Sequence, residues 1–102
     1  MDNSNAVKIT KDLLAPFHFS SLEDAGLNFL YLSSLAKISE YRKDCLLYQK
    51  KYGMSYESFK KHIAGKKRDE VFEEEDDLMA WQYVYDALQY WENKVKELDQ
   101  CF

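Results

Sequence analysis

The side chains best equipped for chemistry in this sequence are two histidines, two cysteines and the carboxylate run Glu73-Glu74-Glu75-Asp76-Asp77. His18 and His62 lie far apart, and neither has a companion three or four residues along, the spacing that places two metal ligands on one helix face. His18 stands between Phe17 and Phe19, and both histidines read as structural or solvated. Cys45 and Cys101 have no metal or redox spacing. Cys45, close to Tyr41, Leu46 and Tyr48, reads as a buried thiol and Cys101 as a free one. The acidic run resembles a metal cage in composition only. An oxygen-ligand loop alternates its carboxylates around a Gly turn, whereas consecutive carboxylates on a helix point around its axis. Asp86, between Tyr85 and Ala87, could be a carboxyl perturbed by apolar neighbours, a partner for a Tyr hydroxyl or an exposed charge. No GxGxxG, P-loop or activated Ser or Cys is present. The expectation is a binding protein, not an enzyme, with no metal and no cofactor.

Charge is the feature a partner would read. The formal net charge is −4, unevenly spread. Residues 53–68 hold five positive charges and one negative, and residues 69–102 hold eleven negative and two positive. A basic connector, Lys60, Lys61, Lys66, Lys67 and Arg68, therefore precedes an acidic head, Glu74, Glu75, Asp76 and Asp77. The two can neutralise each other, each exposed pair contributing at most about 1 kcal/mol. The head can equally attract a basic protein, since complementary charge speeds encounter. The connector could touch phosphates with Tyr52 and Tyr56 stacking on bases, but the neighbouring carboxylates repel the same backbone, which argues against direct nucleic-acid binding.

These groups are positioned by helices. With 46% apolar and 16% aromatic residues in 102, the chain has material for one modest core. Three Gly and one Pro argue against a turn-rich β fold. After the acidic run, Leu78, Trp81, Val84, Leu88, Trp91, Val95 and Leu98 fall on one face of a helix expected over 73–99. Tyr83 and Tyr90 lie off that stripe and suit a partner-facing surface. A first long helix is expected over 20–52, with Ser20 and Glu23 at capping-box spacing. Its stripe is Leu27, Tyr31, Leu35, Ile38, Tyr41, Cys45, Tyr48 and Tyr52. Leu22, Phe29, Leu30 and Leu32 make its first half apolar nearly all round, so something must cover the second side. Gly53 stops this helix, Ser55 caps a short one over 55–64, Met54 and Phe59 have hydrophobic-staple spacing, and Gly65 ends it. Val71 and Phe72 are expected to anchor the connector before the acidic run.

The arm over 1–19 is less regular. Val7-Lys8-Ile9 alternates over too few residues for a strand. Thr10 could cap a turn through Leu14 that Pro16 ends, and Leu13, Leu14, Phe17 and Phe19 are expected to pack across the helices or a second copy. The apolar runs are too short for a bilayer and the N-terminus lacks a signal-peptide pattern, so the expected location is the cytoplasm, where a disulfide would not persist.

The run Lys51-Tyr52-Gly53-Met54-Ser55-Tyr56-Glu57-Ser58-Phe59, followed after the connector by Asp76-Asp77-Leu78-Met79-Ala80-Trp81, resembles a family of small bacterial and archaeal proteins. It is similar to antitoxin subunits of the TumE/TumA type of toxin–antitoxin pair, over about residues 40–98. The resemblance implies a small cognate toxin, acting on RNA, as the partner.

The expected architecture is all-α: two long antiparallel helices with a short helix between them, in a hairpin or bundle that dimerises. The expected function is that of an interaction module, an antitoxin neutralising a basic toxin through Glu74, Glu75, Asp76, Asp77, Trp81, Tyr83 and Tyr90. The alternatives are a nucleic-acid-binding regulator using the basic connector, and a purely structural helical oligomer.

Overall fold

The computed structural model describes residues 9–66 and 72–102. Val7, Lys8, Lys67, Arg68 and Val71, each given a role above, lie outside them. Among the described residues the regular structure is entirely helical. A single turn, α1 (Lys11–Leu14), runs into a 3-10 turn (Ala15–Phe17); α2 (Leu22–Tyr52), α3 (Tyr56–Ala64) and α4 (Phe72–Asp99) follow.

Each boundary has a local cause. Ser21 caps α2: its extended backbone lets its hydroxyl accept the Asp24 N–H at 3.0 Å. Asp24 in turn accepts the N–H of Ser20, the residue before the cap, at 3.0 Å. The cap pair is thus Ser21 with Asp24, one residue later than the Ser20–Glu23 spacing suggests. Gly53 ends α2 at φ 64°, a left-handed conformation that costs other residues, and its N–H returns to the Gln49 carbonyl at 2.7 Å. Ser55 then caps α3 by accepting the Ser58 N–H at 3.2 Å. Gly65 follows α3 in right-handed geometry, so its backbone freedom is not used there.

Antiparallel order follows from the pairs between α2 and α4. Lys51 meets Asp77, Tyr48 stacks on Trp81 at 5.6 Å, and Tyr31 meets the Phe102 ring at 5.6 Å. Position rises along α4 as it falls along α2. The hairpin is long and thin, 65 × 32 × 20 Å with a radius of gyration of 21.1 Å. A compact chain of this size would have a radius near ~13 Å.

The core sits at the turn end, where α3 closes on the long pair. Phe59 and Trp81 are fully buried, with Cys45 and Tyr56 beside them. The ring of Tyr52 stacks on Phe59 at 4.1 Å, and Phe59 and Trp81 lie 5.4 Å apart. Such pairs add roughly 0.5–1.5 kcal/mol each beyond area burial. Met54 and Ile63 pack on this cluster, so the Met54–Phe59 staple joins the α2–α3 turn to it.

Away from α3 the packing thins to a seam. Ile38 is buried as expected, but the exposed Leu35 yields its place to Ser34. The seam Tyr31–Ser34–Ile38–Tyr41–Cys45 keeps the alternation of three and four along α2, and Ser34 can join it because its hydroxyl donates to the Leu30 carbonyl at 2.7 Å. The described part of the N-terminal segment, residues 9–19, folds on itself and not across the helices. The turn α1 stops at Leu14, two residues before Pro16, which lies in the 3-10 turn that follows; Thr10 makes no side-chain cap, and His18 closes the 3-10 turn at φ 65°. Phe17 stacks on Phe19, Leu13 and Phe17 stay exposed, and so do Leu22, Phe29 and Leu32 on α2.

Candidate protein-docking site

The acidic run lands on the first turns of α4, beside the last turn of α2. A helix there places successive residues about 100° apart, so the run divides by direction. Asp77 and Glu73 turn toward α2. Lys51 Nζ lies 2.6 Å from Asp77 and 2.9 Å from Glu73, and the Tyr52 hydroxyl donates to the same Asp77 carboxylate. Glu74 turns toward α3, where Lys66 Nζ lies at 2.7 Å and His62 Nε2 at 4.0 Å. Glu75 and Asp76 point to solvent and make no ion pair among the described residues.

The electrostatics of this clasp follow its contacts. The ammonium of Lys51, and then the Tyr52 hydroxyl, hold the Asp77 carboxyl below its ordinary range. Burial, then the hydrogen bond to Asp77, push the Tyr52 phenol up to about 12. Lys51 is raised by its bonds to Asp77 and Glu73. Burial pushes the Cys45 thiol up, which leaves less thiolate at neutral pH and suits an inert packing residue.

Lys51 lies outside the basic connector, and the charge pattern along the chain gives no sign that it pairs with the acidic head. The antiparallel turn is the signal: Lys51 stands two residues before the Gly53 stop, and a hairpin brings the last turn of its first helix beside the first turn of its last. Of the connector, Lys66 is engaged by Glu74, and Lys60 and Lys61 are exposed on α3. Lys60 and Lys61 flank a hollow of 520 Å³ that Glu57 and Asp86 also line, so charges of both signs meet there. Asp86 is exposed, and it is Glu57 that takes the Tyr85 hydroxyl, at 3.3 Å.

The aromatic candidates separate as sharply. Trp81 is fully buried and presents no surface to a partner. Tyr83 and Tyr90 are 67% and 54% exposed, and their spacing of two helical turns puts them on the same side of α4. Asp76 is another such interval before Tyr83. Gln82, Tyr85 and Asp86 turn toward α3, while Ala80, Tyr83 and Val84 turn the opposite way and line a hollow of 560 Å³ with Asp44, Leu47 and Tyr48 of α2. Leu47 and Asp44 had no place in the helix stripes and became visible only when α4 was laid beside α2.

Among the described residues no group of three or more His, Cys, Asp or Glu side chains converges as a metal site requires. No helix there is long and apolar enough to cross a membrane. Comparison with protein-family models, with curated proteins and with solved structures found no match.

Proposed function

We propose that this chain is a non-enzymatic interaction protein of the cytoplasm that binds a small basic protein, and that the pair works as antitoxin and toxin. The observation that supports it most directly is the side of α4 carrying Asp76, Tyr83 and Tyr90: two large aromatic rings in water beside a carboxylate with no ion pair among the described residues. Tyrosines add contact area at low entropic cost, and free carboxylates steer a cationic partner. Glu75 and Asp76 are the steering charges in this reading. Glu74 and Asp77 already serve the fold.

Self-pairing belongs to the same proposal. The accessible surface is 8213 Å², against about 6,000 Å² for a compact monomer of this mass. A standard interface removes about 800 Å² per partner, so the surplus is ample. Phe29 and Leu32, 69% and 64% exposed on the outward side of α2, are the residues a second copy would cover.

The test is a binding titration against the protein encoded by the neighbouring reading frame, with DNA and RNA as parallel arms. Changing Glu75 and Asp76 together to amides should slow association with the protein partner. The effect should fade with salt, because screening limits exposed charges to about 8 Å at physiological ionic strength. Tyr83→Ala or Tyr90→Ala should speed dissociation. Tight binding to RNA or DNA that the amide changes strengthen would replace this reading with the nucleic-acid one.

A further inference from the structure

We infer that the outward side of α2 is the contact between two copies of this chain, and that the two α2 helices cross it antiparallel, with position 25 of each facing position 36 of the other. The inference rests on the self-pairing proposed above and supplies its geometry. Leu22, Ala25, Phe29, Leu32, Ala36 and Ser39 follow one another in steps of three, four, three, four and three. At about 100° per residue they form one strip, half a turn round the helix from the Tyr31–Ser34–Ile38 seam that packs on α4. α2 thus carries two seams of coiled-coil spacing, and α4 fills one of them. The other runs about 26 Å, with Leu22, Phe29 and Leu32 exposed along it.

The strip is its own match. A two-fold contact sets residue i on residue j and j on i, so its spacing must read alike in both directions, as this spacing does. Reversal about the point between Leu30 and Tyr31 lays Phe29 on Leu32, Ala25 on Ala36 and Leu22 on Ser39. The two Phe29 rings then fall in different layers, and the alanine layers beside them leave room for the rings. A parallel copy would crowd both rings into one layer. Charge gives the same direction. The strip and the rows that flank it, Ser21, Gly26, Asn28, Ser33 and Leu35, hold no charged residue, the depletion that marks the centre of an interface. Off the strip, Glu23 and Asp24 stand at one end, and at the other Lys37, Arg42 and Lys43 outnumber Glu40 and Asp44. Antiparallel copies bring the acidic end of each to the basic end of the other, whereas parallel copies bring like to like. A second copy therefore supplies the spacing, the sizes and the opposite charge at each end, and it is present wherever the protein is.

The test is disulfide trapping in the full chain. Cys101→Ser removes the exposed thiol and leaves Cys45 buried, and Ala25→Cys and Ala36→Cys are made separately in that background. A disulfide needs Cα atoms within about 7 Å. In the antiparallel pair position 25 meets position 36, while position 25 and its own counterpart lie about 16 Å apart along the helices. Mixed and mildly oxidised, the two variants should give a band of doubled mass on a non-reducing gel, and neither should do so alone. Each change is a single small side chain, so circular dichroism should match wild type. Cross-linking of either variant by itself would mean parallel helices and would overturn the inference. So would a wild-type dimer by sedimentation whose mixed variants do not cross-link; self-pairing would then stand on another face. A wild-type monomer would refute self-pairing and this inference together, and the titration against the neighbour-encoded protein would still decide the antitoxin reading.

Discussion

Asp76 and Asp77 are adjacent, chemically identical and both near the start of α4, yet the structure gives them opposite roles. Changing each to Asn removes one carboxylate charge and the same favourable interaction with the helix N-terminus, so the difference between the variants isolates what Asp77 alone does. Asp77 accepts from Lys51 and from the Tyr52 hydroxyl. Hydrogen bonds to a charged group contribute about 1.5–3 kcal/mol when shielded. The lysine arm must be discounted, because the Lys51 side chain is 46% exposed and keeps Glu73 after the change. That arm, screened by solvent, contributes little. The tyrosine arm loses only its charge assistance, since an amide oxygen still accepts. Asp77→Asn should therefore cost about 1–2 kcal/mol and lower the melting temperature by about 5–10 °C. Asp76→Asn should stay within about 0.5 kcal/mol of wild type. The pH dependence follows from the depressed carboxyl of Asp77. A group whose folded pKa lies below its unfolded value stabilises above the unfolded value and loses that contribution as pH falls through the folded one. The gap between wild type and Asp77→Asn should thus be complete at neutral pH and close below about pH 4. Thermal melts of both variants from neutral to acidic pH measure it. Equal losses for the two variants, or a gap that ignores pH, would refute the clasp.

Phe59→Ala empties the centre of the aromatic cluster and should cost about 3–5 kcal/mol in denaturant titration, while Phe29→Ala on the outer side of α2 should cost far less in the monomer. Gly53→Ala meets no neighbouring atom but must hold φ at 64°, so it should lose about 1–2 kcal/mol from backbone strain alone, and Gly53→Asn should lose less. In alkali, a phenol pushed up to about 12 stabilises fully below its ordinary value near 10 and loses that contribution as pH rises toward 12. Melting temperature should fall across that window, and less steeply in Tyr52→Phe. Sedimentation of Leu32→Lys together with Phe29→Lys should show a lighter species than wild type, and no change would place self-pairing elsewhere or nowhere.

The helices themselves were legible in the chain. Their periods, the stop at Gly53 and the cap at Ser55 are local events set by backbone sterics and by hydrogen bonds within a few residues. The buried positions of Ile38, Cys45, Phe59 and Trp81 also follow from pattern, because apolar stripes must face something. What local rules could not reach were decisions taken across the hairpin. That Asp77 serves the fold and Asp76 faces water depends on where Tyr52 and Lys51 arrive, from 25 and 26 residues away. Ser34 replaces Leu35 in the seam because the path of α4 along α2, and not the hydropathy of either residue, selects the face. Residues 13–19, apolar enough to pack across the helices, stack Phe17 on Phe19 instead, and Phe29 and Leu32 of α2 stay exposed. Leu47 and Asp44 stand outside every stripe and become one wall of a groove only once α4 supplies the other. A sequence specifies which face of a helix is apolar through bonds between near neighbours. Which charges are spent, and which hollows exist, depends on pairs distant in the chain, and these are settled by how the helices lie against each other.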